Sequence, residues 1–129
     1  MSKLDQRFIL IGALSLMVTI MMSAYGFHGL GDSIPESDRL SWRWAVQIQA
    51  WHSLALILIA LIKQFIRPAQ LLNLASGLFV IGTLIFSGSI YAEKMGAPAV
   101  LGEIAPYGGT TLMIAWLTVA LALLLNKSR

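Results

Sequence analysis

The sequence predicts an all-α membrane protein, a four-helix antiparallel transmembrane bundle with both termini in the cytoplasm. Three observations carry that prediction. The 129 residues are 57% hydrophobic and only 12% charged, against roughly 45–50% and about 25% in an ordinary soluble domain. Four windows, residues 8–27, 44–62, 71–92 and 108–125, contain no Asp, Glu, Lys or Arg. Each is long enough to cross a hydrocarbon core about 30 Å thick. Basic residues then gather on alternate sides of these windows, as cytoplasmic loops require. The mean hydropathy of +0.77 and the absence of cysteine exclude a disordered chain, a disulfide-stapled module and a thiolate metal site. A chain of this length forms one domain.

The elements follow in order. Backbone groups in lipid must be paired internally, so each window is helical, and none alternates as a barrel strand would. The first window follows a short basic start and contains Ala24-Tyr25-Gly26, which resembles a signal-peptide cleavage site. Its length and its stripe of small residues favour a retained helix. The connection over 28–43 is punctuated by Ser33, Pro35 and Ser37, and Ser37 or Ser41 is placed to cap a second helix that starts before the membrane. The turn over 63–70 is broken by Pro68 and is short enough to make the second and third helices antiparallel neighbours. The connection over 93–107 is apolar for a loop, and is expected in the interface or dipping part-way into the bilayer.

Charge sets the direction. Lys3, Arg7, Lys63, Arg67, Lys127 and Arg129 share one side with Asp5 alone. Arg39, Arg43 and Lys94 share the other with Asp32, Glu36, Asp38, Glu93 and Glu103. The net charge of +3 is therefore a topology signal, not a nucleic-acid surface. Tyr25, Phe27, Trp42, Trp44, Tyr91 and Tyr107 mark the outer boundary.

Small residues line helix faces. Gly12, Ser15, Thr19, Ser23 and Gly26 form a stripe on the first helix, and Gly108, Thr111, Ala115, Thr118 and Ala122 form one on the fourth. Ser76, Thr83 and Ser87 make a weaker stripe on the third. Such stripes let helix backbones approach in lipid. The same hydroxyls on a polar path would line a small oligomeric transporter or channel. No repeat relates the two halves of the chain, so inverted-repeat transport logic gains nothing here.

Polar residues inside the windows are the candidate site. His52 lies about eight residues, roughly 12 Å, inside the second span, with Gln49 one turn away. Facing hydrocarbon would be costly for both, so both point into the bundle. Ser87, Ser89 and Tyr91 lie at the same depth on the third helix, and a hydrogen-bonded cluster of His52, Gln49 and Ser87 or Tyr91 is expected. His28 stands at the outer end of the first span, too far in depth from His52 for a shared haem or metal, so no cofactor is assigned. No nucleophile elbow, phosphate loop or His-Glu-x-x-His is present. Catalytic residues are therefore not assigned.

Several blocks resemble a known family. Gly26-Phe27-His28-Gly29-Leu30 closes the first helix. Trp44-Ala45-Val46-Gln47-Ile48-Gln49 and His52-Ser53-Leu54-Ala55-Leu56 form the second, and Phe86-Ser87-Gly88-Ser89-Ile90-Tyr91 ends the third. Leu101-Gly102-Glu103-Ile104-Ala105-Pro106-Tyr107-Gly108-Gly109 leads to Trp116-Leu117 of the fourth. In this order the blocks resemble domain of unknown function 423, the small four-helix membrane family that includes transmembrane protein 256. The resemblance implies a bacterial inner-membrane, multi-pass protein with no established activity. His28, Gln49, His52, Ser87, Ser89, Tyr91, Gly108 and Gly109 match its blocks. Phe27 and Ala105 depart from them, standing where alanine and threonine are frequent. The function expected is non-enzymatic: a polar cluster in the outer leaflet that orders the bundle or holds a lipid or small ligand. A transporter or channel is the first alternative, and an enzyme acting on a lipid or quinone is the second. The expected partners are the bilayer and either further copies of the chain or another membrane protein.

Overall fold

A computed structural model describes residues 1–31, 34–66 and 69–126. Four α-helices account for most of it: α1 over Lys3–His28, α2 over Glu36–Ile62, α3 over Ala69–Lys94 and α4 over Ala105–Leu124. A 3₁₀ helix over Ala99–Ile104 joins α3 to α4. All four spans are long and apolar enough to cross a membrane, the last counted from Ala99.

Each helix extends beyond its apolar window, because the backbone goes on pairing with itself past the hydrocarbon. At the N-terminus Ser2 caps α1. Its hydroxyl accepts from the Asp5 amide at 3.1 Å, and the Asp5 carboxylate accepts from the Ser2 amide at 2.9 Å. The chain leaves α1 through Gly31, whose φ of +66° is a conformation that favours glycine. Neither serine expected to cap α2 does so. Pro35 holds the cap position without a side-chain bond, and Ser41 donates to Ser37 O inside the helix at 3.0 Å. The Asp38 and Arg39 amides instead donate to Pro35 O, at 3.0 and 3.2 Å. The break expected at Pro68 lies outside the described residues, as do Asp32, Ser33, Arg67, Lys127 and Arg129 of the charge pattern. Gly96, at φ +106°, ends α3 and lets the Ala97 amide reach back to Ala92 O at 2.9 Å. The apolar connection is not an open loop. Its six-residue 3₁₀ helix packs on α3 and runs directly into α4, which begins at Ala105 with Pro106 in its first turn.

Consecutive helices pack antiparallel: α1 on α2, α2 on α3 and α3 on α4. Asp5 of α1 meets Lys63, just beyond α2, at one end, while Trp42 of α2 reaches Met22 of α1 at the other. The start of α1 and the end of α4 therefore lie at the same end of the bundle. The small-residue stripes lie in these contacts. A Cβ on Gly12 would stand 2.8 Å from Ser53 O and from Ile57, and one on Gly82 2.8 Å from Leu112 Cγ. A Cβ on Gly108 would collide with the Phe86 backbone. Only glycine permits that approach of α4 to α3.

Helices α2 and α3 form the centre of the fold. Each buries nine residues and α1 only three. One apolar core joins Leu56 and Ile59 of α2 to Leu72 and Phe79 of α3 and Leu112 and Ala115 of α4. A second, nearer the opposite end, joins Leu30, Trp42, Ala45, Ile90, Tyr91 and Ala105. Large apolar side chains also cover the outside, among them Leu10, Ile20, Leu58, Leu84, Met113 and Leu117. In water that surface would be a severe liability, and in lipid it is the solvent-matched face.

Candidate polar site within the bundle

The polar side chains of the spans meet in two networks that share α2. The first joins α1, α2 and α3. Gln49 donates through Nε2 to Ser15 O and Ser15 Oγ, each at 3.2 Å, and its Oε1 accepts from the Tyr91 hydroxyl at 2.8 Å. Ser53 donates to Gln49 O at 2.6 Å and lies 2.6 Å from Ser15 Oγ. One hydrogen per hydroxyl then makes Ser15 the donor to Ser53. Ser87 adds a bond across the helices, donating to Ala45 O at 2.7 Å.

The second network joins α2 to α4. His52 Nδ1 lies 2.6 Å from Ile48 O, and its Nε2 lies 3.0 Å from Trp116 Nε1. An indole N–H only donates, so Nε2 is the acceptor and the imidazole is the neutral Nδ1–H form. The ring stacks with Phe79 at 5.4 Å and faces Trp116 at 6.0 Å. These bonds orient the imidazole toward α4 and away from Gln49. The His52–Gln49 pairing expected from their spacing is thus replaced by two separate links, one on each flank of α2.

Other candidates stand apart. His28 is exposed at the end of α1, with its ring edge-on to Phe27 at 4.9 Å. Gly26, two residues before it, packs on Trp42, which is ten residues and roughly 15 Å along α2 from His52. Ser89 donates to Phe86 O within its own helix at 3.0 Å. Gly108 lies where α4 meets the Phe86 backbone of α3, and a Cβ on Gly109 would stand 3.7 Å from the Phe86 ring. Among the described residues, no group of three or more His, Asp or Glu is arranged to hold a metal ion.

Sequence reasoning missed three partners. Ser53 and Trp116 carry no signal beyond their depth, since a hydroxyl in an apolar run bonds to its own helix as readily as to a neighbour. The third is an ion pair. Asp5 binds Lys63 with both side chains about 95% buried, and Gln64 adds a bond to Asp5 at 3.2 Å. Its signal was available: Asp5 is the single acid on the basic side, and Lys63 lies where an antiparallel neighbour would meet it. At the opposite end Lys94 bridges Asp38 at 2.8 Å and Glu93 at 3.1 Å.

A cleft lies over the first network, between α1, α2 and α3. Its volume is about 210 Å³. Ile11, Val18, Leu56, Phe79 and Leu84 supply its walls, and Ser15, Gln49 and Tyr91 contribute to its floor.

Four apolar antiparallel helices around a hydrogen-bonded polar core define a small multi-pass membrane protein. The chain belongs to the family described as Protein of unknown function (DUF423), a model of which matches residues 22–109. It is similar to the UPF0382 membrane protein YwdK of Bacillus subtilis, at 30% identity over 89% of this chain and 94% of that one. A UPF0382 membrane protein of Staphylococcus epidermidis is 35% identical over 91% and 94% of the two chains. One from Haemophilus influenzae is 32% identical over 97% and 99%. No solved structure matches the chain.

Proposed function

We propose that the chain is a non-enzymatic inner-membrane protein, with both termini in the cytoplasm, whose buried polar networks hold four helices in one register. A single observation supports the ordering role. Gln49, Tyr91, Ser15, Ser53, Ser87 and His52 all spend their hydrogen-bonding groups on one another, on the Trp116 indole or on backbone. Interhelical bonds of this kind in lipid contribute about 0.6 kcal/mol each on average, up to about 1.7. Their geometric effect is larger, since sliding α1 or α3 along α2 would strand several polar groups in hydrocarbon.

The cleft favours a second role for the same region. Its polar floor is already engaged, so what remains for an occupant is apolar contact. That suits one hydrocarbon chain of a bilayer lipid better than a polar solute. The hydroxyls that a channel would use are committed locally. Thr19, Ser76 and Thr118 each donate to a carbonyl four residues back, at 2.8 to 2.9 Å. That pattern supports structure over conduction.

Thermal unfolding of His52→Ala, Gln49→Ala and Tyr91→Phe in detergent tests the ordering role. Each variant is expected to unfold at a lower temperature than the parent. Parental stability in all three, with a lost cellular phenotype, would assign the cluster to a ligand instead.

A further inference from the structure

A larger concavity lies elsewhere, at the end of the bundle opposite the start of α1. It opens between the last turn of α1 and the first half of α2, and its volume is about 940 Å³. Ser23, Gly26 and Phe27 form one wall, and Leu30 and Gly31 close the end. The facing wall presents Arg39, Arg43 and Gln47, spaced one turn apart along α2, with Val46 and Ala50 beside them.

This groove is held open by a rigid seam. Trp42 is 2% exposed, donates to Met22 O at 2.8 Å, and packs against Gly26 and the rings of Tyr25 and Tyr91. Its placement relative to the membrane is informative. The charge-free window of α2 starts at residue 44, so both arginines precede it while Gln47 and Ala50 lie one to two turns within it. The groove therefore runs from cationic to apolar along its length. Guanidinium groups match phosphate oxygens bidentately.

We propose that this groove binds an anionic glycerophospholipid, with the phosphate headgroup on Arg43 and an acyl chain along Val46 and Ala50. The proposal depends on α1 and α2 spanning the bilayer, not on the role of the Gln49 and His52 networks. A lipid is favoured over free phosphate because the charged rim continues into an apolar wall that a free anion would leave unfilled.

The test uses the full chain in a neutral detergent. Binding of phosphatidylglycerol, phosphatidylcholine and inorganic phosphate is measured by native mass spectrometry and by thermal shift. Phosphatidylglycerol is expected to bind and to raise the unfolding temperature, and the other two are not. Arg43→Gln is expected to weaken phosphatidylglycerol binding about tenfold. Ala50→Phe, which keeps both charges and fills the apolar end, is expected to weaken it by a similar factor. Arg7→Gln, at the far end, serves as the control for non-specific charge and is expected to leave it unchanged. Equal binding of phosphatidylcholine would reduce the groove to an apolar crevice and overturn the proposal. Competition by inorganic phosphate at equal strength would make it an anion site and do the same. Unchanged phosphatidylglycerol binding by folded Arg43→Gln and Ala50→Phe would also refute it, whatever the stability of the polar-network variants.

Discussion

Replacing Lys63 by methionine is the sharpest test of how the bundle is closed at the end that carries the termini. Lys63 and Asp5 are each about 95% buried, and they join α1 to the end of α2 across 58 positions of sequence. In Lys63→Met the Asp5 carboxylate keeps the Ser2 amide and the Gln64 amide as donors but loses the cation paired with it. Breaking a buried pair from one side costs about 3–5 kcal/mol, because the remaining charge stays desolvated. Asp5→Asn in the same chain removes that charge and retains an acceptor for Ser2. The double variant is expected to recover most of the loss, to within about 1 kcal/mol of the parent. Reversible unfolding in mixed micelles, followed by circular dichroism, reads both numbers. A single variant that loses less than about 1 kcal/mol would behave as an exposed pair. That result would show that these ends are not packed as described.

Further outcomes follow from the same contacts. In a double-mutant cycle, Gln49→Leu and Tyr91→Phe are expected to be non-additive by about 0.6–1.7 kcal/mol in micellar unfolding, the range for hydrogen bonds between helices in lipid. Strict additivity would mean that the 2.8 Å bond between them contributes nothing. Gly108→Val should unfold at markedly lower temperature than the parent, since any Cβ there meets the Phe86 backbone. Gly88→Ala, which meets nothing within 4 Å, should match or exceed the parent. Equal melting of those two variants would remove the close α3–α4 approach from the account.

How far the sequence led can be traced residue by residue. The four spans were legible because a missing charge over some twenty residues leaves few alternatives. The helix ends were not, because hydropathy registers only the part of a helix that lies in oil. The eight residues of α2 before position 44 are polar enough to read as connection. The glycine stripes were legible as packing surfaces, and Gly12 and Gly108 lie in helix contacts. For the site, depth was readable and direction was not. Gln49 and Tyr91 do bond, although Tyr91 packs at the level of Trp42 and its long side chain reaches down to Gln49. His52, three residues and only about 60° around the helix from Gln49, is turned toward α4 by its bond to Trp116. Trp116 as its partner required knowing that α4 packs there. Asp5 and Lys63 were counted as separate charges for topology, a count that ignores pairing. The burial of that pair depends on two helix ends that only the fold brings together.

Thiol labelling from the two sides of a sealed membrane tests the central claim most directly. The natural chain has no cysteine, so each introduced thiol reports alone. A membrane-impermeant maleimide is expected to label Ser2→Cys and Gln64→Cys only from the cytoplasmic side. It should label Ser37→Cys and Val100→Cys only from the opposite side, and leave Leu58→Cys and Leu117→Cys unlabelled from either. Labelling of Ser2→Cys and Ser37→Cys from the same side, or free labelling of Leu58→Cys, would contradict four crossings around a buried polar core.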